Sequence, residues 1–313
     1  MSTCFDSVGL SFFATRLKRL GGRILAGACI ALPALAAHAQ NGSTPLIWEA
    51  RSPSNTVYLF GTVHVGARKL YPLSPAVERA YSASRVLALE ADPTDQSALL
   101  VATQSSTYKP PDSLARHISP QLMDELRKAL PAVGLPVEYA EVMRPELLAM
   151  TLAMMEVGRQ GYDPNLGLDI YLARRAKQDG KRIVELESIV GQLALLSSFS
   201  PELQEGMLRS AVEGITRGSL SADIRDLLSA WRAGDEKSLW DLVNKEVDEL
   251  PAAQARELRE QLYDARNREM SEKIAVMLAG TDPTLVAVGV GHLLGGSGIV
   301  ELLRKKGYSV RKL

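Results

Sequence analysis

Short apolar runs rich in β-branched residues recur along the chain and predict the strands of a sheet. The predicted strands are Thr56–Phe60, Val86–Leu89, Arg182–Leu186, Leu285–Val288 and Tyr308–Arg311. A further run, Leu46–Glu49, predicts an edge strand that pairs with the first of these through a turn at Ser52–Asn55. The predicted strands therefore lie mainly towards the two ends of the chain.

Helical periodicity fills the gaps between these runs. Ser74 followed by Pro75 is typical of a helix start. Leu168–Lys177 and Ile299–Lys306 predict helices that end close to a glycine, just before a strand. Several more helices are expected between residues 121 and 278, with no linker rich in Gly, Ser or Pro. This order of helix, glycine and strand is typical of α/β units in one domain.

Two segments share the pattern Gly-x-x-His directly after a predicted strand. They are Gly61–His64 and Gly289–His292, and each is followed by a predicted helix and then another predicted strand. The pattern predicts an α/β fold with a central, mostly parallel sheet that carries two β-GxxH-α-β units. A large helical insertion is expected between the two units.

The first 39 residues have the composition of a signal peptide. Four basic residues precede the apolar run Ile24–Ala36, and Ala37–Ala39 supplies a cleavage site of the small-x-small type. We therefore predict a signal peptide over residues 1–39 and a single exported, periplasmic domain over residues 40–313. Secretion, or anchoring by an uncleaved signal, remains an alternative. No membrane span is expected after the signal is removed.

Composition narrows the chemistry that the mature chain can carry. Both cysteines, Cys4 and Cys29, lie in the predicted signal, so a metal ion would be bound by His, Asp and Glu alone. The signal takes four of the 36 basic and one of the 36 acidic residues, which leaves a net charge near −3. No basic patch with interleaved aromatic residues is present, so nucleic-acid binding is not expected.

Two of the three histidines in the mature chain follow predicted strands, and so does the acid Glu90. In a parallel sheet, residues just past the carboxyl ends of the strands meet at one edge, where ligands bind. His64, His292 and Glu90 have this position, and two imidazoles with one carboxylate are the ligand set of a catalytic metal site. Gly61 and Gly289 would permit close approach of the backbone to a bound group.

Other polar residues are assigned lesser roles from their positions. Glu187 ends a predicted strand as Glu90 does, and it is expected to support Glu90 or to replace it. Thr62 is a candidate for orienting a water molecule. Asp169 and Asp92 are expected to be a helix-start acid and a turn acid. His117 lacks the strand context and is expected at the surface or at a helix end.

Several segments of the chain resemble a known family. The segments Leu59–Gly66, Ala88–Glu90 and Gly289–Gly295 look like the TraB/PrgY/GumN family, whose animal relatives are the Tiki proteins. The similarity extends to Gly167–Asp169, Gly180–Lys181, Leu186–Glu187 with Gln192, and Arg266–Asn267, and so covers nearly the whole mature chain.

The resemblance implies a sheet-centred fold related to erythromycin-esterase-like and ChaN-like proteins. For the Tiki branch it also implies metalloprotease activity supported by manganese or cobalt, with zinc as an alternative. His64, His292 and Glu90 match the presumed metal or catalytic positions, and Arg266 would be an electrostatic partner that stabilises a developing oxyanion, with Asn267 beside it. Unlike Tiki proteins, this chain is expected to lack a C-terminal membrane anchor.

These observations predict an exported metal-dependent hydrolase that acts on peptide or amide bonds of the cell envelope. Glu90 would be either a metal ligand or the general base. One alternative is a metal-free, esterase-like hydrolase in which a histidine acts directly as the base. The other is a periplasmic protein that sequesters a peptide without cleaving it, using the helical segment Met143–Met155. The sequence identifies neither the natural substrate nor the oligomeric state.

Overall fold

A computed structural model describes residues 45–313, with only the backbone described at Ser221 and Glu246. The predicted signal peptide lies outside the described residues. The described residues belong to one compact unit. Its strands are β1 (Ile47–Arg51), β2 (Thr56–Thr62), β3 (Val86–Leu89), β4 (Arg182–Glu185), β5 (Thr284–Gly289) and β6 (Ser309–Lys312).

In the part of the chain from residue 45 onward, these strands form one six-stranded sheet in the order β4-β3-β5-β2-β1-β6. The pairs β2·β5, β3·β5 and β3·β4 are parallel, whereas β1 runs antiparallel to both of its neighbours, β2 and β6. Five strands therefore point the same way. The prediction of a mostly parallel sheet in an α/β fold is confirmed.

The prediction of an edge position for the first strand was wrong. The hairpin of β1 and β2 through Ser52–Asn55 forms as expected, with Ile47 opposite Phe60. However, the last strand, β6, pairs with the other side of β1, with Trp48 opposite Lys312. The chain end returns to the sheet and covers the strand edge that the local sequence leaves open.

The α-helices include a long run between β4 and β5. They are α1 (Pro75–Ala83), α2 (Gln96–Ser105), α3 (Pro120–Val133), α4 (Val137–Glu141), α5 (Pro145–Arg159), α6 (Leu168–Gln178), α7 (Ile189–Ser197), α8 (Pro201–Arg217), α9 (Ser219–Ala233), α10 (Glu236–Asp248), α11 (Ala252–Leu258), α12 (Ala265–Ala279) and α13 (Ile299–Lys305). A π-helical segment, Arg259–Asp264, joins α11 to α12. The predicted cap at Ser74 accepts a hydrogen bond from the Val77 N–H.

Alternate residues of the central strands pack on opposite faces of the sheet, as strand geometry requires. Leu59 and Val286 face the helices α12 and α13, whereas Phe60 and Leu87 face α1 and α6. Helices α3, α5 and α8 of the insertion form a separate apolar cluster. Because helices cover both faces of the sheet, a ligand would reach it at the edge where the parallel strands end.

No helix between residues 45 and 313 has the length and apolar character to cross a membrane.

Candidate functional site

Four parallel strands bring their carboxyl ends to one edge of the sheet. His64 follows β2 by two residues, Glu90 directly follows β3, Glu187 follows β4, and His292 follows β5. His292 ends a single turn of 3₁₀-helix, Val290–His292. The sheet order places β5 between β2 and β3, so the carboxylate and both histidines meet there.

The site converges on Gly289. A methyl group added to Gly289 would lie 3.1 Å from Glu90 Oε1, 3.5 Å from His64 Nε2 and 3.8 Å from His292 Cδ2. A methyl group on Gly61 would lie 2.9 Å from Val290 Cγ2. The two glycines therefore let the two Gly-x-x-His segments approach each other and leave space between the imidazoles. The predicted convergence of His64, His292 and Glu90 is present in the structure.

His292 is buried, and its orientation is fixed by Asn267. Its Nδ1 lies 2.7 Å from Asn267 Oδ1, and Asn267 Nδ2 donates to the Ser297 carbonyl at 3.0 Å. Because the carbonyl can only accept, Asn267 Oδ1 must face the imidazole, so Nδ1 carries the proton and Nε2 has the lone pair. Burial lowers the pKa of His292 to about 4, so the ring is neutral at neutral pH.

His64 has the opposite surroundings. Its side chain is 66% exposed and its Nδ1 lies 2.7 Å from Asp169 Oδ2. The negative charge of Asp169, which also hydrogen-bonds to the ring, raises the pKa of His64 to about 9. In the absence of a competing cation, His64 is therefore protonated at neutral pH and carries a proton on Nε2.

Asp169 was assigned too small a role by the sequence. It lies in the first turn of α6, as predicted, but its carboxylate is largely buried and hydrogen-bonds to other residues of the site. The Thr62 hydroxyl donates to Asp169 Oδ1 at 2.5 Å. The Thr62 hydroxyl therefore donates its hydrogen bond to Asp169 and does not donate one to a water molecule. In the sequence, the role of Asp169 is indicated by the family resemblance, which includes the segment Gly167–Asp169.

Glu90 accepts hydrogen bonds on both carboxylate oxygens. Oε1 accepts from the Gly289 N–H at 2.6 Å, and Oε2 accepts from Arg266 Nη2 at 2.9 Å and from Gln192 Nε2 at 3.0 Å. Burial raises the pKa of Glu90, but nearby positive charge and the Gly289 N–H keep it below the usual value. Since His292 is uncharged at neutral pH, His64 and Arg266 supply that charge. Glu90 is ionised.

Arg266 lies between two acids and is held by both. Its Nε and Nη2 donate to the two oxygens of Glu187 at 2.8 and 2.7 Å, and Nη1 donates to the Leu262 carbonyl at 3.0 Å. Gln192 Nε2 also donates to Glu187, at 2.8 Å. Glu187 therefore does not replace Glu90. It anchors the guanidinium that holds Glu90, and most Arg266 donors are already engaged.

The donor set suits a divalent cation, although its arrangement is incomplete. Both imidazoles have Nδ1 bound by an outer partner and Nε2 directed to the side of Glu90, with His292 Nε2 at 3.8 Å from Glu90 Oε2. Outer partners on Nδ1 are characteristic of metal-binding histidines. Yet within residues 45–313 no group of three His, Asp or Glu side chains already has the arrangement of a metal site.

A cavity of about 490 Å³ opens onto these residues. It is lined by His64, Glu90, Arg266 and His292 at one end and by helices of the insertion elsewhere. Tyr263, from the π-helical segment, also lines it and packs against the His292 ring at 5.7 Å between centroids. No local sequence pattern distinguishes Tyr263 from other helical tyrosines, so its place at the site could not be predicted.

The remaining candidates lie away from the cavity. His117 is at the end of the short 3₁₀-helix Leu114–Arg116, where it pairs with Asp112 at 2.9 Å and stacks on Tyr108. Asp92 accepts hydrogen bonds from the Thr94 N–H and hydroxyl, as expected for a turn acid.

Comparison with known proteins identifies relatives across almost the whole described chain. Residues 46–312 match the model of the TraB/PrgY/gumN family. The chain is 25% identical to zebrafish "Metalloprotease TIKI2", over 87% of this chain and 61% of that protein, so it spans less than two thirds of that relative. It is 23% identical to "Uncharacterized protein YbaP" of Escherichia coli, over 79% of this chain and 87% of that protein. No solved structure matches the chain. The chain belongs to the TraB/PrgY/gumN family.

Proposed function

We propose that this chain is an exported, metal-dependent hydrolase that cleaves peptide or amide bonds in the cell envelope. One observation carries the proposal: His64 Nε2, Glu90 Oε1 and the His292 ring all approach within 4 Å of one point beside Gly289. The relatives named metalloproteases support the reaction class. The predicted signal peptide supports export.

His64 and His292 would hold the metal ion, with Glu90 either as a third ligand or as the general base. Asp169, Glu90 and Glu187 with the single cation Arg266 give the site a net charge of −2 when both imidazoles are neutral, which favours a divalent ion. Manganese or cobalt is suggested by the Tiki resemblance, and zinc suits the same donors. When bound, such an ion lowers the pKa of a water molecule and polarises a carbonyl group.

The chain's own residues supply positioning and proton transfer. Glu90 Oε1 accepts one hydrogen bond, so it retains capacity to receive a proton from a water molecule, whereas Oε2 already accepts two. Arg266 keeps Glu90 ionised and oriented, and Glu187 keeps Arg266 in place. Asp169 and Asn267 orient the two imidazoles. Arg266 is thus a positioning residue in this account, with little remaining donor capacity for an oxyanion.

A second candidate is a metal-free hydrolase that uses the His64–Asp169 pair. The 2.7 Å contact between the imidazole and the largely buried carboxylate resembles the pair in such enzymes in which a carboxylate orients a catalytic histidine. Because the pKa of His64 is raised to about 9, the ring would act at neutral pH as a general acid, not as the base expected for this alternative from the sequence. Its exposed side chain lines the cavity, where a leaving group could take the proton.

Hydrolysis with and without a chelator separates the two candidates. The purified mature protein would be incubated with a peptide mixture and products identified by mass spectrometry. We expect cleavage that EDTA abolishes and Mn²⁺, Co²⁺ or Zn²⁺ restores, and that is lost in His292→Ala but kept in His117→Ala. Cleavage that survives exhaustive chelation would favour the metal-free reaction. Stoichiometric capture of peptide without any product would reject both.

A further inference from the structure

The cavity has two chemically distinct parts. One end carries the ionisable residues of the site. The remaining wall is mainly aliphatic and comes from three helices of the insertion, with Ala153 and Val157 on α5, Ile224 and Leu227 on α9, and Leu242 on α10. Sheet edge and insertion therefore make separate contributions to one cavity.

The charges on the wall are balanced. Among the described residues lining the cavity outside the site, the acid and the base are Asp223 and Lys245, which pair at 3.3 Å between α9 and α10. A charged group placed against this wall would lose hydration without gaining an unmatched counter-charge. An apolar group would displace water from aliphatic surface, which is favourable.

We infer that the aliphatic wall is a specificity pocket, which binds a large apolar side chain of the peptide substrate close to the bond held at His64, His292 and Glu90. The inference rests on the proposed function, because it names which peptides that site would select. A volume of about 490 Å³ is within the range of pockets that bind small organic groups. The adaptable side chain of Met154, 38% exposed on α5, also lines the cavity and suits more than one apolar shape.

A guest-residue series tests the pocket. Synthetic peptides of Gly, Ser and Gln would carry Leu, Phe, Ala or Asp at one central position, and kcat/KM and the cleavage position would be measured for each. We expect cleavage next to Leu or Phe with kcat/KM at least about tenfold above that of the Asp peptide, since one methylene in an apolar pocket changes the rate by about 10–200-fold. Equal rates for all guests would overturn the pocket.

Two variants link the preference to the wall. Ala153→Phe fills the cavity, so it should lower kcat/KM for the Phe guest about tenfold more than for the Ala guest. Met154→Ala should reduce the Leu-over-Ala preference about threefold. Met150→Ala is the matched control, because Met150 lies on the same helix with a similar exposure, 41%, and outside the lining. Circular dichroism checks folding, and unchanged preference in a folded Met154→Ala and Ala153→Phe would contradict the assignment.

Measurements of peptide binding test the pocket even if the protein does not cleave the peptides. Fluorescein-labelled Leu and Asp guest peptides would be titrated with the full mature protein by fluorescence polarisation. Tighter binding of the Leu peptide without product would reject the proposed hydrolase and retain the pocket. Cleavage without any guest preference would retain the hydrolase and reject the pocket.

Discussion

The two Gly-x-x-His segments have the same spacing and both lie at the carboxyl end of a parallel strand, but their imidazoles lie in opposite surroundings. His64 is largely exposed, pairs with a carboxylate and has a raised pKa, whereas His292 is buried, pairs with an amide and has a lowered pKa. The motif therefore fixes where each imidazole lies, and the partner on Nδ1 together with burial fixes its charge. His292 presents a lone pair to the site, whereas His64 must first release a proton before it can bind a metal ion.

The largest effect is expected when either histidine is removed, which tests whether His64 and His292 act as one catalytic unit. His64→Ala and His292→Ala should each reduce kcat/KM by about a thousandfold or more, because removal of one member of a catalytic unit disables the rest. The measurement is steady-state hydrolysis of a cleaved peptide at saturating Mn²⁺, with His117→Ala as the matched control. If only the His64 variant lost activity, the metal-free reaction through His64 and Asp169 would be the better account.

The next effect concerns the guanidinium beside both carboxylates. Arg266→Met should lower the free energy of unfolding by about 3–5 kcal/mol, because it leaves Glu90 and Glu187 buried without their counter-charge. Arg268→Met is the control at the next arginine, which is 56% exposed, and should change stability by less than about 1 kcal/mol. Urea unfolding followed by circular dichroism measures both. Equal changes in the free energy of unfolding would show that the Glu90–Arg266–Glu187 group contributes no more to stability than an exposed ion pair.

A smaller effect is expected from the outer partners of the imidazoles. Asp169→Asn and Asn267→Ala should each weaken metal affinity by about 10–100-fold, the usual cost of losing a group that orients a ligating histidine. Competition with a fluorescent chelator gives the affinity. Asp112→Asn, at the partner of His117, is the control and should have no effect. Unchanged affinity in both site variants would remove these partners from the account.

A pH titration of the chelator-treated protein compares the pKa values of His64 and His292 directly. Nitrogen-15 NMR of the imidazoles should show His64 titrating near pH 9 and His292 near pH 4. Since the pKa of His64 is above its usual 6.5, the stabilisation by its ion pair is complete below pH 6.5 and lost as pH rises through about 9. The pKa of His292 is lowered, so it destabilises the fold as pH falls from 6.5 to 4. Two titrations near 6.5 would refute the contrast.

Much of the sheet and the central residues of the site could be predicted from local sequence. Apolar runs mark the strands, and parallel strands must end at one edge, so the convergence of His64, Glu90 and His292 follows from topology alone. The role of Asp169 could not be predicted from local pattern, because an acid in the first turn of a helix is ordinary and its contact with His64 spans 105 residues. The family resemblance alone marked it.

The insertion shows the same limit more clearly. Its helices were expected, but which of their faces line the cavity depends on how α5, α9 and α10 pack against one another and against the sheet. Tyr263 reaches the His292 ring from a π-helical segment that has no recognisable sequence signal. The inner position of β1 was missed for a related reason, because the chain end that covers it is more than 250 residues away in sequence.

Metal content of the purified mature protein tests the central proposal most directly. Elemental analysis by mass spectrometry, after loading with Mn²⁺, Co²⁺ or Zn²⁺ and desalting, would compare the native chain with the His64→Ala/His292→Ala double variant and with His117→Ala. We expect about one divalent ion per chain in the native protein and in His117→Ala, and none in the double variant. Equal metal content in the native chain and the double variant would contradict the proposal that the two Gly-x-x-His arms bind a metal together.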